Sequence, residues 1–125
     1  MPAARSIVAL VVDDQQSMRA MARLVLKEVG VIDVAVAASA DAAWEQMMAR
    51  RFDVVISDLN MPGVSGLELA RRIKAHPDLR ATPVFLSTSN AYRDQAGDSI
   101  DHFVAKPFVV PDLRQALETH LGALT

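Results

Sequence analysis

Short apolar runs alternating with longer segments of helical period constrain this chain more than any other feature. Residues 6–12, 32–37, 53–58, 83–88 and 102–105 each read as a strand. The runs Ile7-Val8-Ala9-Leu10-Val11-Val12 and Val54-Val55-Ile56 are apolar throughout, the pattern of strands covered on both faces. Between the strands, Met18, Met21, Ala22, Val25 and Val29 recur at helical spacing before Gly30. Ala40, Ala43, Trp44, Met47 and Met48 form a second stripe. Ser65-Gly66-Leu67-Glu68 is a capping box that opens a third helix, running to about Ala75. Pro111 and Gly122 bracket a last helix with Leu113, Ala116, Leu117, Leu121 and Leu124 on one face. Strands and helices in alternation imply an α/β fold with a parallel sheet covered on both faces. Right-handed crossovers leave few topologies, and five strands fit the flavodoxin-like, doubly wound order 2-1-3-4-5.

Ser89 to Asp101, between the fourth and fifth strands, fits that scheme least well. Its apolar residues are Ala91, Tyr92, Ala96 and Ile100, too few for a regular helix. A shortened or irregular fourth helix is expected there.

The strand ends carry the chemistry. Asp13 and Asp14 close the first run, and Asp58, followed by Leu59-Asn60-Met61-Pro62-Gly63, closes the third. In the order 2-1-3-4-5 the first and third strands flank the switch point, where open α/β sheets bind ligands beyond their carboxyl ends. Three carboxylates gathered there repel one another unless a cation joins them. Magnesium takes oxygen ligands and keeps waters, so Asp14 and Asp58 suit direct coordination, Asp13 a metal-bound water, and the Asn60 carbonyl a further ligand. Lys106, before Pro107, and Thr88, at the end of the fourth strand, suit contacts to phosphoryl oxygens. Each residue also has a plainer use. Asp14 reads equally as the N-cap of the next helix, Asp58 before Pro-Gly as a turn former, Lys106 as a solvated lysine and Thr88 as a strand threonine.

Composition removes other chemistries. With no cysteine, disulfides and thiolate-bound metals are excluded. A net charge of -2 gives no general attraction to nucleic acid or membrane. The 125 residues suffice for one domain with its own core, residues 1–125, and no signal-peptide or membrane-length apolar segment is present. A cytoplasmic location is expected by elimination. His76, His102 and His120 lack metal-ligand spacing, and His76 reads as a helix-end residue. Trp44 reads as a core-edge residue, and the Arg50-Arg51 and Arg71-Arg72 pairs as solvated helix ends.

Four stretches together resemble the receiver domain of two-component response regulators, most of all the CheY-like, single-domain chemotaxis type. They are Val11-Val12-Asp13-Asp14-Gln15-Gln16-Ser17-Met18-Arg19, Val55-Ile56-Ser57-Asp58-Leu59-Asn60-Met61-Pro62-Gly63, Pro83-Val84-Phe85-Leu86-Ser87-Thr88 and Phe103-Val104-Ala105-Lys106-Pro107-Phe108. The resemblance implies that Asp58 accepts a phosphoryl group from a phosphohistidine partner, a sensor histidine kinase or a phosphotransfer protein. It implies Mg²⁺ at Asp13, Asp14, Asp58 and the Asn60 carbonyl, and phosphoryl contacts from Thr88 and Lys106. It also implies a cis Lys106–Pro107 bond and an aromatic switch at Phe103, where a plain core aromatic is the other reading. Such a protein catalyses its own phosphorylation and dephosphorylation without being an enzyme on other substrates, and acts through an output protein. A monomer is expected, and Met1 with the short tail after Gly122 favours a stand-alone regulator.

Two departures affect the usual output surface. The stretch from Thr88 to Lys106 is shorter than the family pattern by roughly four residues, about one helical turn. His102 stands where a small residue usually precedes the aromatic. One rival reading is an aspartyl-phosphate phosphatase, disfavoured because Asn60 occupies the place of the second acid. The other is a pseudo-receiver that is never phosphorylated and serves as a scaffold or nucleotide effector.

Overall fold

The computed structural model describes residues 3–59, 61, 63–88, 101–105 and 108–124, with the backbone alone at residues 5, 88, 103 and 105. A parallel sheet runs in the order β2-β1-β3-β4-β5, with β1 Val8–Val12, β2 Asp33–Ala37, β3 Val54–Asp58, β4 Val84–Thr88 and β5 His102–Ala105. The described helices are α1 Gln16–Val29, α2 Ala40–Ala49, α3 Gly66–Ala75 and α4 Val110–Leu121, after a short 3₁₀ turn at Ala4–Ser6. The expected irregular element at 89–101 falls outside the described residues except for Asp101.

One core joins α1 and α4 to the sheet through Leu26, Val29, Ile56, Phe85, Leu113 and Leu117. The other joins α2 and α3 to the opposite face through Leu10, Val12, Met47, Val55, Leu69 and Ile73. Burying each large apolar side chain contributes about 1.5–3 kcal/mol, so these two layers hold the sandwich together.

The structure corrects the phase of two helical stripes. On α1 the buried residues are Ala22, Leu26 and Val29, whereas Met21 is 39% exposed. On α2, Ala40, Ala43 and Met47 are buried and Met48 is 50% exposed. Both helices carry apolar residues on more than one face, and packing against the sheet selects the face that is used. Ile32, expected in the second strand, precedes it and is 66% exposed, because β2 is a sheet edge.

Local signals end the helices as expected. Gly30 adopts a left-handed conformation (φ 109°) and donates to Lys27 O, while Val31 N donates to Leu26 O. That Schellman arrangement returns the chain to the sheet, and a Cβ at Gly30 would press on Ala4. Ser65 Oγ accepts from Glu68 N at 3.2 Å, so half of the capping box is made. The Glu68 carboxylate lies 3.8 Å from Arg71. His76 is the C-cap of α3, and its ring meets Trp44 edge-on at 5.9 Å.

The end of the sheet where the strands begin is pinned by carboxylates. Asp53 Oδ2 accepts from Val8 N at 2.8 Å. Asp101 Oδ2 accepts from Val84 N at 2.7 Å and pairs with Lys74 Nζ at 2.7 Å. Ser6 and Ile7, leading into β1, share a small cavity there with Asp53 and with Leu121 at the end of α4. The entry to β1 and the end of α4 therefore lie together on this rim.

Candidate functional site

The acids lie at the opposite rim. The β1–β3 register pairs Val12 with Ser57, so the next position sets Asp13 beside Asp58. One oxygen from each of Asp13, Asp14 and Asp58 lies within 4.8 Å of the others. Their depth is graded, with Asp13 buried at 3% exposure, Asp58 half-buried and Asp14 exposed at the mouth.

The connections around the acids explain how they are held. Asp13 N donates to Ala37 O, and Asp13 Oδ1 accepts from Gln15 N at 3.0 Å. Arg19 reaches back from the first turn of α1, and its Nη1 donates to Asp13 O at 2.7 Å. Asp14 is not the cap of α1, since the N-cap is Gln15 and no side chain caps it. The plainer use of Asp14 is thereby removed. Asp58 is the last residue of β3. Ser57 Oγ donates to Asp58 O at 3.0 Å, and Leu59 is tied on both sides, by Leu59 N to Ser87 O and by Gly66 N to Leu59 O. Gly66, the first residue of α3, passes so close to the Asp58 carbonyl that a Cβ would collide with it.

Three carboxylates at this spacing fit a hard divalent cation, with the exposed side left for water and for an incoming anion. Among the described residues this is the one group of three or more His, Cys, Asp or Glu that could hold a metal ion. The larger grooves lie elsewhere and do not touch the acids. One of about 590 Å³ runs past Met48, Arg51, Thr82 and His120, and another of about 620 Å³ lies between Leu24 and Ile32.

Thr88 closes β4 and Phe103 is the second residue of β5, but the roles expected of their side chains lie outside the described residues. Asn60, Lys106 and the cis Lys106–Pro107 bond also fall outside them. Sequence reasoning passed over Arg19, Ser57, Gly66 and Ser87. A serine inside an apolar strand was the available signal for two of them.

A family model for the response regulator receiver domain matches residues 9–118. This chain belongs to that family. The receiver is 33% identical to the chemotaxis protein CheY of Pseudomonas aeruginosa over 113 residues, covering 87% of this chain and 91% of that one. Among solved structures it is similar to TrrA of Thermotoga maritima in complex with Mg²⁺-BeF, with a TM-score of 0.83, 30% identity and coverage of 92% and 99% of the two chains. It is also similar to the receiver domain of a Pseudomonas aeruginosa sensor histidine kinase that has magnesium coordinated in its active site cleft (TM-score 0.83, 25% identity, coverage 94% and 98%). The chain is thus a CheY-like receiver domain of two-component signalling. No described helix is long and apolar enough to cross a membrane.

The structure also accounts for His102. Its Nδ1 lies 3.2 Å from Nε2 of His120 on α4, and both rings pack on Phe85, at 5.6 and 5.2 Å between centroids. The imidazole at the start of β5 thus helps bind the last helix to the sheet.

Proposed function

We propose that this receiver accepts a phosphoryl group on Asp58 from a phosphohistidine partner, a sensor histidine kinase or phosphotransfer protein, and thereby switches a surface that binds an output protein. The observation that carries this reading is the meeting of Asp13, Asp14 and Asp58 within 4.8 Å at the ends of adjacent strands. An Asp58 carboxylate oxygen attacks phosphorus, the bond from phosphorus to the partner's imidazole nitrogen breaks, and that nitrogen keeps the electron pair. Asp13 and Asp14, with Asp58, would hold Mg²⁺, whose charge would offset that of the carboxylates and the phosphoryl oxygens. Asp13, the deepest, is set by Gln15 N and would take a water-mediated place beside the cation. The Asn60 carbonyl completes the ligand set, Lys106 and Thr88 take the phosphoryl oxygens, and Phe103 reports the change. Reversal uses the same residues with water as acceptor, so the domain catalyses only its own modification. A monomer in the cytoplasm fits this role.

The test is incubation with a small acyl phosphate, with and without Mg²⁺, read by intact mass and hydroxylamine lability. Labelling should appear only with Mg²⁺ and vanish in Asp58→Asn. Equal labelling of that variant, or labelling undiminished by chelator, refutes the reading. Unlabelled parent protein under all conditions would favour the pseudo-receiver.

A further inference from the structure

Among the described residues the buried polar side chains are Asp13, Ser57 and Ser87, and all of them surround Asp58. Asp13 belongs to the acid cluster, and Ser57 donates to the Asp58 carbonyl. Ser87 has no such explanation. It is 1% exposed, and its Oγ has no hydrogen-bond partner. A buried hydroxyl without a partner bears the full cost of leaving water, and an alanine in its place would not. The residues that lead to it on β4, Val84, Phe85 and Leu86, are apolar and buried, so their packing calls for no hydroxyl.

The register shows what the hydroxyl faces. Ser87 on β4 is the in-register neighbour of Asp58 on β3, and Leu59 N to Ser87 O secures this last rung. In a parallel ladder, paired residues project to the same face, about 4.8 Å apart. Ile56 and Phe85, two positions earlier, lie together in the core beneath α1 and α4, so Asp58 and Ser87 share that face. Val104 flanks Ser87 on its other side. Of the two strand neighbours, only Asp58 carries polar side-chain atoms.

We propose that Ser87 is a further positioning residue of the phosphoacceptor site, its hydroxyl unbonded in the resting protein and donating to an oxygen of the acyl phosphate once Asp58 is modified. The proposal rests on Asp58 being the phosphoacceptor. Modification adds acceptor oxygens and negative charge beside a rotatable donor already shielded from bulk solvent, where a charge-assisted hydrogen bond is short and strong. The unmade bond raises the resting state relative to the phosphorylated one, so the hydroxyl biases the switch by its differential interaction with the two states.

The test compares the parent with Ser87→Ala and Ser87→Thr. Melting is measured in chelator, and affinities for Mg²⁺ alone and for beryllofluoride with Mg²⁺ are measured by calorimetry. Ser87→Ala should melt higher than the parent in chelator, bind Mg²⁺ alone within twofold of it, and bind beryllofluoride about five- to tenfold more weakly. Ser87→Thr, which keeps the hydroxyl, should retain beryllofluoride affinity within about twofold. Ser87→Ala with unchanged beryllofluoride affinity overturns the proposal. So does an equal loss in Ser87→Thr and Ser87→Ala, which would mark a packing effect. Failure of the underlying reading looks different: the parent then binds no beryllofluoride, or Asp58→Asn binds it as well as the parent does.

Discussion

Replacing Gly66 with alanine should damage the site without touching any acid. The added methyl carbon would land on the Asp58 carbonyl oxygen and lie 2.9 Å from both the Asp58 carbonyl carbon and Ser57 Oγ. Ordinary carbon–oxygen contacts begin at about 3.3 Å, so α3 or the end of β3 must shift by roughly 1 Å or more. The obstacle is backbone and cannot rotate away. Alanine ordinarily favours a helix over glycine by about 1 kcal/mol, while overpacking costs about 1–3 kcal/mol and sometimes more. With the clash against backbone at the upper end, a net loss of about 2 kcal/mol is expected, a fall in Tm of roughly 6–10 °C for a domain of this size. Because the displaced peptide belongs to Asp58, the rise in Tm on adding Mg²⁺ should shrink as well. Urea and thermal denaturation with and without Mg²⁺ measure both effects. Gly63→Ala is the control, strained by its φ of 78° but with nothing within 4 Å of its Cβ, and should cost less. A Gly66→Ala protein as stable as the parent, with an intact Mg²⁺ shift, would refute the close approach of α3 to Asp58.

Asp14→Ala in chelator should raise Tm by a few degrees, since it removes one of three mutually repelling carboxylates without removing a helix cap, and should abolish most of the Mg²⁺ shift. A lower Tm in chelator would count against the clustering. Asp101→Ala removes the Lys74 pair and the bond to Val84 N and should cost about 1–2 kcal/mol in urea denaturation, whereas a neutral result would show that the brace is not formed in solution. For His102 and His120, a double-mutant cycle to alanine should give a coupling of about 0.5–1.5 kcal/mol, and additive losses would exclude the contact.

The sheet and its acids were legible because they depend on local pattern. Val8 to Val12 and Val54 to Ile56 have no polar face, and burial on both sides is the consequence. Asp13, Asp14 and Asp58 stand where those runs stop, and strand order alone brings them together. The faces of α1 and α2 were less legible. Met18, Met21, Leu24, Val25 and Leu26 spread over more than half of the circumference of α1, and only contact with the sheet and α4 decides that Leu26 goes in and Leu24 stays out. Ser57 and Ser87 look alike in sequence, each a hydroxyl before a strand's last residue. Their difference, one bonded to the carbonyl of the residue that follows it and one not, is a matter of side-chain geometry that the residue type does not reveal. The tie between His102 and His120 spans a turn of chain that no periodicity connects.

The rim braced by Asp53 and Asp101 has a practical consequence. Ser6 and Ile7 line a cavity with Leu121 on that rim, and Leu124 N is held by Glu118 Oε2 at 3.0 Å. The described chain thus enters and leaves near the rim opposite Asp14 and the mouth of the acid cleft, where an affinity handle, a sensor-chip linker or another folded unit would be attached. Immobilisation through either terminus should therefore leave the cleft facing solution, so that capture assays with a phosphorylated partner can use both orientations and expect the same answer.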